Sequence, residues 1–236
     1  MVTQLHVPEP QREERFASLS RGGWLSLQSH AFTRAILCAG RVIALQPREP
    51  VTMEGDEDLR IFGVVRGAVG TYSSHRHQFP VLGAMLLSGQ WFGVGPRFVG
   101  GGRKLTFIAM EDTELLCFGN AEFQQVSVSC SDLDDQLAQL AQMMSNYSNL
   151  IVAELLIPET DRRIVAVLLR LCEGTSGEFS FRLSQAELGE MSNASRDTVN
   201  KLVKRLEQCG LLTTRYGRIV VADYEGLARW FDTAGT

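Results

Sequence analysis

LSQAELGEMSNASRDTVNKLVKRLEQCGLLTTRYGRIVV, residues 183–221, decides how the rest of the chain is read. Ser184 is placed to cap a helix from Gln185 to Met191, and Glu187 at its third position suits a capping box. Ala186, Leu188 and Met191 give that helix an apolar side. Ser192-Asn193-Ala194 interrupts the pattern with turn formers. Ser195 then caps a second helix, Arg196 to Cys209, whose Val199, Leu202, Val203 and Leu206 recur at helical spacing. Gly210 stands where a left-handed C-cap is wanted. Leu211–Thr214 and Arg218–Val221 flank Arg215-Tyr216-Gly217 as a small hairpin.

The second helix buries one side and leaves Arg196, Asp197, Asn200, Lys201 and Lys204 on the other. An Arg near a helix N-terminus can enter the major groove and pair bidentately with guanine, and a neighbouring Asp can accept from a cytosine amino group. A polar helix face alone is usually only a solvated face. Here it is joined to a capped preceding helix, a short turn, a Gly stop and a basic hairpin, which together read as a winged helix-turn-helix. Residues 195–218 hold six Lys or Arg against two Asp or Glu, in a chain of net charge −4. Positive charge gathered on one helix and one hairpin fits a site-selective DNA module better than a general polyanion binder.

Upstream the texture differs. A length of 236 residues allows two cores. Residues 1–17 are polar. Trp24, Leu25, Leu27, Phe32, Ile36 and Leu37 read as short packing helices. From Arg41 to Phe118, short apolar runs are punctuated by Gly, Pro and Asp, the pattern of strands in a sandwich or barrel. Ala121–Val128 reads as a short helix. Asp132–Ile157 reads as one long helix of about 40 Å. Leu133, Leu137, Leu140, Met144, Tyr147 and Ile151 recur along it at heptad-like spacing, and a parallel dimer seam is expected there. Two-fold symmetry would then match a palindromic operator. Pro158 stops this helix, Glu159–Cys172 forms another, and Ile157-Pro158 is the expected hinge.

This order, and SRDTVNKLVKRLEQCGLL above all, resembles the cyclic-AMP receptor protein / fumarate-nitrate regulator (CRP/FNR) family of bacterial transcription factors. The resemblance covers nearly the whole chain. It implies an α+β fold: a jelly-roll-like β-roll of the cyclic-nucleotide-binding type over residues 1–129, a dimerisation helix over 130–157, and a winged helix-turn-helix over 158–236. In the receptor branch an Arg-Glu pair, then three residues, then an Arg read the bases. Arg196, Asp197 and Lys201 stand at those positions, with Asn200 between them. The family's phosphate contacts would fall on Ser184, Gln185, Ser195, Thr198 and Arg215, with Lys204 on the same face. RIFGVVRGAVGTY and LSGQWFGV resemble strands of the family's roll.

The effector cassette departs from the family pattern. Nucleotide binders carry Gly-Glu there, then an Arg-Ser or Arg-Thr pair. Here Val94 follows Gly93, and Lys104 follows Arg103. Val94 offers no acceptor to a ribose hydroxyl, and an unpaired buried hydroxyl costs about 1–3 kcal/mol. The expectation is a pocket walled by Trp91, Phe92, Val94, Arg103 and Lys104, with Ser148 and Asn149 of the long helix. It is either collapsed or holds an effector other than cyclic AMP. A nucleotide-dependent regulator with a non-standard pocket, or a small-molecule or redox sensor with incidental DNA binding, are the alternatives.

The remaining constellations are weaker. His75 and His77 could ligate a metal or haem, but a solvated hairpin tip is the plainer reading. Gly100-Gly101-Gly102 before Arg103-Lys104 could cradle an anion, or simply form a loop. The five Cys are scattered, which suits reduced thiols, and Cys117 and Cys130 have no marked reason for a low thiol pKa. No catalytic constellation and no cofactor motif stands out, so no enzyme is expected. The expected partners are double-stranded DNA, a second copy of the chain and, as a further candidate, RNA polymerase. Neither a signal sequence nor a membrane span is read, so a cytoplasmic location with no membrane partner is expected.

Overall fold

The computed structural model describes residues 3–5, 12, 14–74, 79–174 and 179–233. His75 and His77 lie outside the described residues. The chain divides into two compact units, residues 1–73 with 85–147, and residues 74–84 with 148–236.

The first unit is a roll of two sheets. One is ordered β1 (Thr3–Leu5), β2 (Arg41–Leu45), β9 (Thr113–Phe118), β4 (Ile61–Arg66) and β7 (Trp91–Phe92). The other is ordered β3 (Pro50–Thr52), β8 (Thr106–Ala109), β5 (Ala68–Ser73) and β6 (Val81–Leu87). The β2–β9, β4–β9 and β5–β8 pairs are antiparallel. Side chains alternate between faces along each strand. Phe62, Val64, Phe92, Leu115 and Cys117 point to the inner cluster between the sheets, with Phe107 and Leu86 opposite. Ile61, Val65, Trp91, Leu116 and Phe118 point outward to a second cluster. Both faces are therefore apolar, which is why these strands read as short continuous apolar runs.

The outer cluster is covered by helices. These are α1 (Ala17–Arg21), α2 (Gly23–Ser26), α3 (His30–Ala39) and α5 (Asn120–Ser127), while α4 (Gly95–Val99) is a short cassette helix. The long helix α6 (Leu133–Leu155) completes the cover. Leu133, Leu137 and Leu140 are only 4%, 0% and 2% exposed and pack with Trp24, Phe32, Ile36 and Phe123. Trp24 Nε1 also donates to the Gln136 carbonyl at 2.9 Å. This corrects the dimer-seam reading of Leu133, Leu137 and Leu140, because their own roll already buries them. Met144 and Tyr147 also pack against the roll's clusters. Heptad spacing identifies one face of a helix, but not which neighbour covers it. The exposed large apolar side chains lie further on, at Leu150, Val152, Leu155 and Leu156.

The second unit continues with α7 (Thr160–Glu173), α8 (Gln185–Ser192), α9 (Arg196–Gln208) and α10 (Tyr224–Thr233). A three-stranded antiparallel sheet, ordered β10 (Ser180–Phe181), β12 (Arg218–Val221) and β11 (Leu212–Arg215), completes it. Its core joins Ile164, Leu168 and Leu171 of α7 to Leu188, Val199, Leu202 and Leu206, each at most 1% exposed.

Candidate nucleic-acid interface and roll interior

Local chemistry sets the interface. Ser184 Oγ accepts from the Glu187 N–H at 3.2 Å, and Glu187 Oε2 accepts from the Ser184 N–H at 2.7 Å, closing the capping box that starts α8. Asn193 leaves α8 in the left-handed conformation, φ 48°. Ser195 Oγ accepts from the Thr198 N–H at 3.1 Å and starts α9, and Gly210, φ 72°, ends it. The turn is tight. A Cβ on Gly189 would lie 2.6 Å from the Ala194 carbonyl oxygen, so α8 can approach α9 only through a glycine.

Val199, Leu202, Val203 and Leu206 hold α9 against the core. Arg196, Asp197, Lys201 and Lys204 are exposed, and Asn200 and Thr198 are half-buried. Lys201 pairs with Asp197 one turn back at 2.7 Å, and this hydrogen bond raises the lysine pKa. Arg205 is turned away and pairs with Asp161 of α7. Arg196, Lys204 and Arg215 make no ion pair among the described residues. An open groove of about 330 Å³ runs between α8, the start of α9 and the wing, lined by Ser184, Gln185, Arg196, Arg215, Tyr216 and Arg218. Amide groups at two helix starts and two exposed guanidinium groups make it suited to phosphate oxygens. The expected base readers thus share one exposed face. Of the expected phosphate residues, Ser184, Gln185 and Arg215 line the groove, Ser195 and Thr198 meet at the start of α9, and Lys204 is exposed on that helix.

The sequence reading missed what holds the wing and the hinge. Glu207 Oε1 accepts from Thr214 N–H at 2.8 Å and Oγ1 at 2.7 Å, tying α9 to the wing. Arg163 donates to the Ser192 and Asn193 carbonyls, and Arg170 pairs with Glu154 in a buried site. A signal for the last was present. Arg170 falls within the apolar stripe of α7, between Val167 and Leu171, where a buried cation demands a carboxylate.

The roll interior differs from the expected pocket. Trp91 and Phe92 are consecutive strand residues and face opposite sides, so Trp91 packs on Trp24 outside the sheet while Phe92 faces inward. Val94 packs with the outer cluster, and Lys104, Ser148 and Asn149 are exposed. Trp91 and Val94 therefore do not share the Phe92 side of the sheet. The inner space instead holds Phe62 stacked on Phe92, with ring centroids 5.2 Å apart, and Phe107 at 4.6 Å from Phe92.

Arg103 is 2% exposed. Its Nη1 donates to the Gly93 carbonyl at 2.7 Å, its Nη2 donates to the Arg60 carbonyl, and Asp58 lies 3.9 Å away. Burial lowers its pKa, and Asp58 opposes that. Gly93, φ 90°, is what lets the guanidinium approach, since a Cβ there would sit 2.8 Å from Nη1. In the Gly100–Gly102 stretch only Gly102 is hemmed in, where a Cβ would meet the Gly55 carbonyl at 2.7 Å, while Gly100 and Gly101 face open space.

A two-sheet roll, a long helix and a winged helix-turn-helix define an α+β DNA-binding regulator. Family models agree on both parts: residues 42–129 match the cyclic nucleotide-binding domain, and residues 162–230 match the Crp-like helix-turn-helix domain. The chain is 25% identical over 175 residues to the cyclic AMP receptor protein of Thermus thermophilus, covering 74% of this chain and 81% of that one. It is 24% identical over 174 residues to the cAMP-activated global transcriptional regulator CRP of Haemophilus influenzae, covering 71% and 77%. Its fold is similar to that of FixK2 from Bradyrhizobium japonicum, with TM-score 0.69 and 18% identity over 80% of this chain and 96% of that one. The chain belongs to the CRP/FNR family of DNA-binding transcription regulators. No helix among the described residues is long and apolar enough to cross a membrane.

Proposed function

We propose that the protein is a cytoplasmic, homodimeric regulator that reads a palindromic operator and whose roll responds to an effector other than cyclic AMP. The carrying observation for DNA reading is the exposed face of α9, with Arg196 exposed at its N-terminal end and lining the wing groove. Arg196, Asp197, Asn200 and Lys201 read bases. Ser184, Gln185, Ser195, Thr198, Lys204 and Arg215 hold phosphates. Dimerisation runs along α6, by Ile151 and the exposed Val152, Leu155 and Leu156 rather than its roll-facing leucines. The division into residues 1–129, 130–157 and 158–236 assigns sensing, pairing and reading. Output runs through access of RNA polymerase to the promoter, and the chain has no catalytic role.

The effector reading rests on Arg103 and the phenylalanines. The guanidinium that would meet a cyclic phosphate already donates through Nη1 and Nη2 to the Gly93 and Arg60 carbonyls, and three rings pack in the inner space. A nucleotide would have to displace both. Fluorescence anisotropy on a duplex selected from random sequence tests the two halves. Binding should be specific and superposable with and without saturating cyclic AMP. Failure to select any duplex overturns DNA reading, and cyclic-AMP-dependent affinity overturns the effector reading.

A further inference from the structure

Ile157-Pro158 breaks the path from α6 to α7, and a Pro between two helices invites a pivot. Both sides of the break are fastened. Glu154, in the last turn of α6, accepts Arg170 Nε on both carboxylate oxygens at 2.9 Å, and both residues are buried. Arg163 of α7 spans the break itself. Its Nη1 donates to the Ile157 carbonyl at 2.8 Å and to the Pro158 carbonyl at 3.2 Å. Its Nε donates to the Ser192 carbonyl at 2.9 Å, and its Nη2 to the Asn193 carbonyl at 3.1 Å. One guanidinium thus joins the interhelical connection to the turn of the helix-turn-helix. A buried ion pair is weak as a source of stability but is well suited to fixing one arrangement over others.

We propose that Glu154, Arg170 and Arg163 are positioning residues that lock the end of α6, the Ile157-Pro158 connection and the helix-turn-helix into one rigid piece, so that the connection is not a pivot and the dimer accepts one half-site spacing. This rests on the dimeric reading given above. The geometric demand is strict. Half-sites lie about 34–36 Å apart, and one base-pair step shifts a recognition helix by about 3.4 Å. A freely pivoting connection would absorb that shift, whereas a clamped one would not.

The test uses the full-length protein and a selected palindrome whose central spacer is lengthened or shortened by one and two base pairs. Wild-type protein should lose about tenfold or more in affinity for a one-base-pair change, against the cost of a single mismatched position. Arg163→Gln and the isosteric Glu154→Gln should keep affinity for an isolated half-site and flatten the spacing profile to within about threefold. A loss equal at every spacing, or an unchanged profile, overturns the proposal. If Arg163→Gln does not fold, Glu154→Gln alone decides. Hydrogen exchange supplies a readout independent of DNA. Residues 152–157 should be protected as well as the core of α7 in wild type, and both variants should release residues 152–157 first. Exchange in that stretch already faster than in α7 overturns the clamp. Failure of wild type to bind as a dimer would instead overturn the dimeric reading, with exchange still judging the rigid piece.

Discussion

Two arginines of this chain have opposite surroundings. Arg196 stands exposed at the start of α9, makes no ion pair among the described residues and lines an open groove. Arg103 is buried, its donors turned onto the Gly93 and Arg60 carbonyls with Asp58 near. The same guanidinium is left in solvent in one place and is part of the scaffold in the other. A cation left in water can exchange its solvent for a phosphate or a base edge at little cost. A cation already bonded to internal carbonyls must lose those bonds first. The groove beside α9 is open, and the interior of the roll is packed with its own rings.

The largest effect should come from attacking the closed side. Leu137→Ala removes a fully buried side chain from the cluster around Trp24 and should cost about 2–5 kcal/mol of stability. A urea titration should show a lowered midpoint with a similar slope, and sedimentation should show the same oligomer wherever the protein is folded. Dissociation to a folded monomer would restore Leu137 to a dimer seam. On the open side, Gly189→Ala forces a methyl against the Ala194 carbonyl and should cost about 1–3 kcal/mol by overpacking. Thermal unfolding should register it, with DNA affinity falling in parallel.

Arg196→Ala should leave unfolding unchanged and weaken the selected operator by about 1–3 kcal/mol, with relaxed preference at one base pair. Titrations over single-base variants check this. Unchanged base preference would remove Arg196 from the reading set and with it the contrast drawn against Arg103.

The helix-turn-helix was legible because each of its devices is local. Ser184 with Glu187, Ser195 with Thr198, Asn193 and Gly210 act within a few residues of one another, so order in the chain is order in space. The roll was legible as strands but not as a pocket. Trp91 and Phe92 are neighbours in sequence and lie on opposite faces of a sheet that is apolar on both sides, so hydrophobicity alone could not assign them. The first part of the α6 stripe, Leu133, Leu137 and Leu140, was found with the right spacing but is covered by Trp24 and Phe32, which lie about a hundred positions earlier. Arg163 and the Glu154–Arg170 pair escaped for the same reason, since their partners are set by tertiary packing.

The smallest effect should come from Asp197→Asn. The Asp197–Lys201 pair is exposed on both sides, and such pairs contribute about 0–1 kcal/mol, so the melting temperature should barely move. DNA binding should change more than stability. Asp197 holds the Lys201 ammonium one turn along the reading face and keeps a negative charge near incoming phosphates. Asparagine keeps the size, removes the charge and frees Lys201 to meet the backbone. Affinity for random duplex should rise, and the slope of log affinity against log salt should steepen by up to about one phosphate contact, roughly 0.9. Affinity for the selected operator should rise less, so the specificity ratio falls. This follows if Asp197 both accepts from a base and restrains Lys201. An equal gain on every duplex would leave Asp197 a plain charge on the face of α9, and a loss on random duplex would mean that Lys201 needs its partner to reach DNA at all.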